Sequence, residues 1–129
     1  MQRLGLLLLL LCVAIGSANA ADVAPQKFVV FFQSWSAAID DSGKAVISKA
    51  AEWVKSHPGN FARVHGFAST VGGRQANVLL ADLRAQIVAD QLMADGIDAK
   101  RIHQRGRGPV EFALTPQESR RVEITIERH

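Results

Sequence analysis

Two polar residues on a long predicted helix have the types and the spacing to hold a carboxylate. Asn77 and Arg84 are seven residues apart, with the small Ala81 between them. Seven steps along an α-helix return the chain to within about 20° of its starting direction, so the two side chains share one stripe. A guanidinium can grip a carboxylate with two parallel hydrogen bonds. From the spacing alone, a solvated helix face is the commoner interpretation of helical Asn and Arg.

Two further groups are positioned to complete such a site. The loop at 68–73 contains Ser69 and two glycines, directly before the long helix. Helix N-terminal amides bind anions and glycine lets a ligand approach the backbone, but an ordinary turn with a Ser or Thr cap fits equally well. Arg120 and Arg121 open the last predicted strand. Strand alternation sends their side chains to opposite faces, so one can reach a ligand while the other is solvated or paired.

Catalytic, metal and nucleic-acid chemistry find little support in the sequence. The four histidines have no metal-ligand spacing, and Ser69 with His65 lacks both a nucleophile elbow and a third triad member. The RGRG segment at 105–108 fits a turn better than a nucleic-acid motif, because the formal net charge is only +3. We therefore predict a protein that is not an enzyme and uses no metal, cofactor or nucleic acid.

The elements that must position these residues follow from the hydrophobic pattern. The predicted order is β-α-β-α-β-β: strand 27–32, a helix from 40–42 to 56, strand 61–67, a helix at 75–95 ended by Gly96, strand 101–105 with a break at 106–109, and strand 121–127. This order predicts an α/β (α+β) fold, a two-layer sandwich of helices on one sheet.

The same periodicity predicts which residues face the core. In the first helix these are Val46, Ala50, Trp53 and Val54, and in the second they are Leu80, Leu83, Ile87 and either Leu92 or Met93. In the last strand Val122, Ile124 and Ile126 face inward, while Arg121, Glu123, Thr125 and Glu127 face outward. Gly66, in the second strand, would allow another backbone to approach closely.

The N-terminal 20 residues have the pattern of a secretory signal peptide. Arg3 precedes an apolar run at 4–15, and the small residues Ala18-Asn19-Ala20 fit a cleavage site. A retained membrane anchor is the alternative, and a lipoprotein is disfavoured because Cys12 follows the bulky Leu11. Cleavage leaves a chain without cysteine or a membrane-spanning segment. We expect a signal peptide at 1–20, a short flexible lead at 21–26 and one domain at 27–129.

The order of these motifs resembles the OmpA-like domain of Gram-negative envelope proteins over residues 28–126. The strand FVVFF at 28–32 precedes a small-residue segment at 36–39, and the second strand runs into the loop at 66–72. The long helix reads NVLLADLRA at 77–85, where the family has N-x-x-L-S-x-x-R-A. A G-x-G turn follows at 106–108, and SRRVEI at 119–124 stands where the family closes with N-R-R-V-E-I.

This resemblance implies a periplasmic module that binds the stem peptide of peptidoglycan without covalent chemistry. In the family, a loop Asp and a helix Arg clasp the polar end of diaminopimelate or an equivalent diamino acid. Carried onto this sequence, the pattern makes Arg84 the carboxylate grip, Asn77 a hydrogen-bonding neighbour and Arg121 an auxiliary cation, with Ser69 in the binding loop. It also implies association with the cell wall or the outer membrane.

Three positions depart from the family pattern. The loop Asp is Ser69, the loop His is Phe67, and the Asn before the closing arginines is Ser119. A hydroxyl accepts a hydrogen bond but cannot neutralise an ammonium, and a hydrogen bond to a charged group is worth about 1.5–3 kcal/mol. Two hypotheses stay open: weakened peptidoglycan binding, or a scaffold that binds an envelope protein partner rather than the wall.

Overall fold

The computed structural model describes residues 26–111 and 115–128. Its elements are β1 (Gln26–Phe31), α1 (Asp41–Ser56), β2 (Asn60–Ala68), α2 (Arg74–Ala94), β3 (Ile102–Pro109) and β4 (Arg121–Arg128), with short 3₁₀ turns at Ala99–Arg101 and Pro116–Ser119. The β-α-β-α-β-β order is confirmed, and Gln26 belongs to β1 rather than to the lead. The predicted signal peptide at 1–20 and the rest of the lead lie outside the described residues.

The four strands form one mixed sheet in the order β1-β4-β2-β3. β4 lies between β1 and β2 and is antiparallel to both, whereas β2 and β3 are parallel and are joined by α2. Because β1 and β2 point the same way and β4 opposes them, the ends of β1 and β2 meet the start of β4 at one edge. The connection at 32–40, the loop at 69–73 and the approach to β4 therefore converge there.

α1 begins and packs much as its sequence predicts. The Asp40 side chain caps it by accepting a hydrogen bond from the Gly43 amide at 2.7 Å. Ala50 and Val54 are fully buried as predicted, but Val46 and Trp53 only border the core. Ile47 and Ala51 occupy the buried positions instead.

The predicted buried stripe of α2 is confirmed at Leu92, holds in part at Leu80 and Ile87, and is wrong at Leu83. Leu83 is 50% exposed and Met93 is 41% exposed, whereas Leu92 is fully buried. Leu80 and Ile87 are half-buried. The buried face consists mainly of small residues and two polar ones: Asn77, Ala81, Arg84, Ala85, Val88, Ala89 and Leu92.

Two paired strand glycines explain why α2 buries alanine rather than leucine. Gly66 of β2 and Gly106 of β3 are neighbours in the parallel register, and both lie under α2. A Cβ on Gly66 would lie 2.9 Å from the Ala85 amide nitrogen and would also meet the Ala81 carbonyl. A Cβ on Gly106 would collide with Asp82. The helix therefore lies so close to the sheet that its contact face must be small, as predicted for Gly66.

The same packing corrects the end of the third strand. The expected break at 106–109 is wrong, because β3 continues through Gly106 to Pro109. A strand glycine serves close helix approach here rather than a turn. Pro109 is tolerated because β3 is at the edge of the sheet, where a missing N–H donor breaks no central ladder.

Both helices contribute to one core on one face of the sheet. Val122, Ile124 and Ile126 of β4 are buried in that core, as predicted. We use "open face" for the other side of the sheet, which carries the outward residues of β2 and β4. Two ion pairs of that face are Arg63 with Glu127 at 2.8 Å and Arg121 with Glu123 at 3.2 Å.

Candidate functional site

A pocket of about 130 Å³ opens at the edge of the sheet where β1 and β2 end and β4 begins. The start of α2 closes its inner side. Trp35, Ser69, Asn77, Arg84 and Arg120 are among its lining residues. These five residues come from four separate segments, which the sheet topology brings together at this edge.

Arg84 lies fully buried beneath the pocket. Its guanidinium donates to three main-chain carbonyls: Nε to Ser36 at 2.8 Å, Nη1 to Phe67 at 3.0 Å and Nη2 to Gln33 at 3.1 Å. These bonds tie α2 to the end of β2 and to the connection after β1. The side chain therefore holds together the segments that form the pocket, a structural role beside the carboxylate grip predicted for it.

The pKa of the Arg84 side chain is lowered by its surroundings. Desolvation, with the positive charge of Arg120 as the second cause, lowers the pKa of Arg84 to about 10. The guanidinium stays protonated at neutral pH, because this pKa lies well above 7. A fixed positive charge thus lies under the pocket.

Asn77 is buried in the same layer as Arg84. Its side-chain amide donates to the carbonyls of Val71 at 2.8 Å and Gly73 at 3.0 Å. Asn77 thereby fixes the loop between β2 and α2. The predicted sharing of one helical face by Asn77 and Arg84 is confirmed, and that face is buried rather than solvated.

The loop before α2 is organised by Ser69. Its hydroxyl accepts a hydrogen bond from the Val71 amide at 3.0 Å, so it closes a turn within the loop. Gly73 is the N-cap of α2 and makes no side-chain capping bond. The Ser or Thr cap considered as the alternative is therefore absent from this helix start. Ser69 is half-buried and lines the pocket.

Arg120 and Arg121 point to opposite sides, as strand alternation predicts. Arg120 lines the pocket, and its Nε donates to the Phe32 carbonyl at 3.0 Å. Within residues 26–111 and 115–128, its two Nη atoms have no hydrogen-bond acceptor. Arg121 lies on the open face, where it pairs with Glu123 and stacks over the Phe67 ring at 4.1 Å. The structure thus gathers Ser69, Asn77 and Arg84 at the pocket and places Arg121 elsewhere.

The pocket divides into two layers. We use "floor" for the buried Asn77 and Arg84, and "rim" for Trp35, Ser69 and Arg120. Among the lining residues that the structure describes there are two arginines and no carboxylate. The site is therefore cationic, as expected from the loss of the loop Asp, and its charge suits a ligand carboxylate.

Of the rim residues, Trp35 was not predicted, and strand alternation left open which of Arg120 and Arg121 reaches a ligand until the family resemblance pointed to Arg121. Side chains alternate along a strand, so a strand extended back by one residue would place Arg120 on the same side of the sheet as Val122 and Ile124. That side faces the helices. Trp35 lies in the connection after β1, which was expected to be irregular and carries no periodic signal. Its backbone has a φ of 55°, a left-handed conformation unusual for a bulky residue.

Other kinds of site find no counterpart in the described part of the chain. Residues 26–111 and 115–128 contain no group of three or more His, Cys, Asp or Glu that could hold a metal ion. Over the same residues, neither helix has an apolar stretch that would cross a bilayer.

The fold and the pocket define a two-layer α/β domain with a small polar site at one edge of its sheet. The sequence pattern of the OmpA family matches residues 31–123. The chain therefore belongs to the OmpA family, and the family resemblance found in its motifs is confirmed.

Individual relatives agree with this assignment. The chain is 34% identical to the probable lipoprotein YiaD of Escherichia coli, over 75% of this chain and 47% of that protein. It is 31% identical to the peptidoglycan-binding protein ArfA of Mycobacterium bovis, over 63% of this chain and 27% of that protein. The crystal structure of the peptidoglycan-associated lipoprotein from Burkholderia pseudomallei superposes with a TM-score of 0.71 at 21% identity, covering 78% of this chain and 90% of that one.

The structural likeness establishes the predicted two-layer fold. The matched part of the chain spans about half the length of YiaD and about a quarter of the length of ArfA.

Proposed function

We propose that this chain is a periplasmic, non-catalytic module that binds peptidoglycan through the diaminopimelate-type stem peptide. The observation that carries the proposal is the cationic pocket, with Arg120 on its rim over the buried Arg84 and no carboxylate among the described lining residues. Membership of the OmpA family and the likeness to a protein named for peptidoglycan binding support the same function. Both also support a place in the cell envelope, next to the wall or the outer membrane.

The ligand carboxylate pairs with Arg120 in this proposal. The Nη atoms of Arg120, which have no acceptor among the residues that the structure describes, offer the planar donor fork that a carboxylate prefers. The Ser69 hydroxyl is a second contact on the rim, and Asn77 with Arg84 supplies the floor and its positive charge. Arg120 thereby takes the carboxylate-binding role that the family pattern assigned to Arg84, whose guanidinium donates to three main-chain carbonyls. Arg121, the auxiliary cation of that pattern, would have to act from the open face.

Loss of the loop Asp shifts the balance of recognition toward the carboxylate. Diaminopimelate ends in both a carboxylate and an ammonium, and Ser69 cannot neutralise the ammonium. A missing hydrogen bond to a charged group costs about 1.5–3 kcal/mol, which corresponds to roughly 10- to 150-fold in affinity. We therefore expect weak binding that depends on the carboxylate more than on the ammonium.

A titration with matched ligands tests this proposal. Residues 21–129, the chain expected after signal cleavage, are titrated by NMR with two stem peptides. One carries diaminopimelate; the other carries lysine, which has the ammonium but lacks the distal carboxylate. We expect the diaminopimelate peptide to bind and the lysine peptide to bind at least about tenfold more weakly, the size of one charged hydrogen bond. Equal affinity for the two peptides would exclude carboxylate recognition.

A second experiment restores the acidic side chain of the family's binding loop at Ser69. Ser69→Asp should tighten binding of the diaminopimelate peptide by about tenfold, because its ammonium gains a partner. Thr70→Asp adds the same charge at the next, exposed position of the loop and serves as the matched control. A flat titration for both the wild type and Ser69→Asp at millimolar peptide would leave the partner-binding scaffold as the better account.

Binding of an envelope protein partner, the second candidate function, rests on the apolar surface of α2. Leu79 and Leu83 are 60% and 50% exposed and lie four residues apart, hence side by side on the helix. Contiguous exposed apolar surface is a feature of protein interaction sites, and these two leucines would form the centre of such a surface. A photo-crosslinker at Leu83, compared with one at the exposed Asp90, tests for an envelope protein partner. A discrete adduct at Leu83 alone, together with no sedimentation of the chain by purified sacculi, would favour this function over wall binding.

A further inference from the structure

Trp35 combines exposure with an unusual backbone. It is 57% exposed, although indole is among the largest apolar side chains. Its φ of 55° makes it the only non-glycine residue with a positive φ among the described residues. Backbone outliers of this kind concentrate at ligand-binding positions, where the surrounding structure maintains them.

A second loop holds the indole in place. The six-membered ring of Trp35 lies against Gly72, where an added Cβ would be 2.9 Å from Cζ2 and 3.0 Å from Cη2. Gly72 itself has a φ of 87°. Two left-handed residues from two different loops therefore fix an aromatic ring that remains largely open to solvent.

The position of this ring is at the mouth of the pocket. Trp35 lines the same cavity as Ser69 and Arg120. Its indole N–H has no hydrogen-bond acceptor among the residues that the structure describes. A flat apolar surface with a free donor on its edge suits a ligand that is itself both apolar and polar.

We propose that Trp35 is a saccharide subsite, on which a pyranose ring of the wall glycan stacks while the stem peptide occupies the pocket. A pyranose presents axial C–H groups on one face, which pack on an aromatic ring, and hydroxyl or amide groups on its edge, which can accept from the indole N–H. The stem peptide is attached to a sugar of the glycan, so a peptide in the pocket delivers that sugar to the mouth. This subsite rests on the proposed peptidoglycan binding.

The experiment compares two ligands that differ only in the sugar. The exported chain is titrated with the diaminopimelate stem peptide and with the muropeptide, which is the same peptide on its disaccharide. The chain has two tryptophans, Trp35 and Trp53. Trp53 stacks on His57 at 4.2 Å, at the far end of α1. In a Trp53→Phe background, fluorescence therefore reports on Trp35 alone.

We expect the muropeptide to change the Trp35 fluorescence and to bind about fivefold more tightly than the peptide, the gain of a single aromatic contact. Trp35→Gly removes the ring and suits the left-handed backbone, so it should fold. It should lower muropeptide affinity by more than it lowers peptide affinity, so that the fivefold advantage of the muropeptide disappears. Trp35→Phe should retain part of the gain.

The possible failures are distinguishable. Equal affinities for peptide and muropeptide in the wild type, or the same loss for both in Trp35→Gly, would overturn the saccharide subsite and leave peptide binding intact. Binding of neither ligand would overturn the proposed function and the subsite with it. Circular dichroism and the Tm of each variant identify any loss that comes from unfolding.

Discussion

The floor and the rim of the pocket use similar side chains for different purposes. The floor pair, Asn77 and Arg84, directs five hydrogen bonds to main-chain carbonyls and is almost fully buried. The rim residue Arg120 makes one such bond and keeps its Nη atoms free among the described residues. The contrast teaches that a guanidinium in a binding motif can serve mainly to assemble the site, while a neighbour meets the ligand.

Removing the floor arginine should have the largest effect. Arg84→Met removes the donors and leaves three carbonyls without their partner, so we expect the free energy of unfolding to fall by about 3–5 kcal/mol. Chemical denaturation measures this change. Leu83→Ala, at the adjacent and half-exposed position, is the matched control and should cost less than about 1 kcal/mol. A loss below about 1 kcal/mol in Arg84→Met would show that the floor does not hold the fold.

The helix contact under the floor is the next feature to break. Gly66→Ala places a Cβ 2.9 Å from the Ala85 amide nitrogen and against the Ala81 carbonyl, both of which are backbone. Overpacking of this kind costs about 1–3 kcal/mol. Gly73→Ala, whose nearest contact would be 4.0 Å away, should cost less in the same denaturation assay. Equal stability of Gly66→Ala and the wild type would contradict the close approach of α2 to the sheet.

The two neighbouring arginines sharpen the comparison at the rim. Arg120→Ala should weaken binding of the diaminopimelate peptide by about tenfold or more, because a charged hydrogen-bond donor is lost. Arg121→Ala should change that affinity less than about twofold, since its guanidinium lies over Phe67 on the open face. Calorimetric titration of both variants checks this. The opposite ranking would restore Arg121 as the ligand-binding residue.

The smallest expected effect is that of pH on binding. With its pKa at about 10, Arg84 stays charged at neutral and mildly alkaline pH. We expect the affinity for the peptide to vary less than about twofold between about pH 6 and 8.5. Throughout this range the pH lies below the pKa of Arg84, so the guanidinium keeps its charge. A steep change in this range would mean that another group controls the pocket.

The open face should respond to pH instead. Burial, followed by the positive charges of Arg107 and Arg63, lowers the pKa of His65 from its ordinary 6.5. As the pH falls through that ordinary value, the unfolded chain takes up the proton before the folded one, so the free energy of unfolding decreases. His65→Gln should remove this part of the acid sensitivity without changing the affinity of the pocket.

Periodicity predicted the architecture well and the contacts of α2 badly. The element order, the inward residues of β4 and the N-terminus of α1 follow from local patterns that the fold preserves. The buried face of α2 depends on Gly66 and Gly106, which meet only once β2 and β3 pair. A hydrophobic pattern assigns leucine to the core, and opposite Gly66 and Gly106 the space for a leucine does not exist.

The floor of the site was predictable from the sequence, whereas of the rim only Ser69 was assigned to it. Asn77 and Arg84 lie on one helix, so their spacing was enough to bring them together. Trp35 lies at the pocket because the connection after β1 is irregular and the residue has a left-handed φ. Neither feature can be predicted from the hydrophobic pattern. Arg120 precedes β4 by one residue, and only the alternation of side chains along the strand places it and Arg121 on opposite sides of the sheet.

The most direct test of the account follows the arginine side chains themselves. Arg84, Arg120 and Arg121 each donate an Nε–H to an identified acceptor, so each should give its own NMR signal. On titration with the diaminopimelate stem peptide, we predict that the Arg120 signal moves and saturates together with the Ser69 amide. The Arg84 signal should move less, and the Arg121 signal should stay in place. Movement of Arg121 while Arg120 remains still would contradict the assignment of the rim as the binding surface.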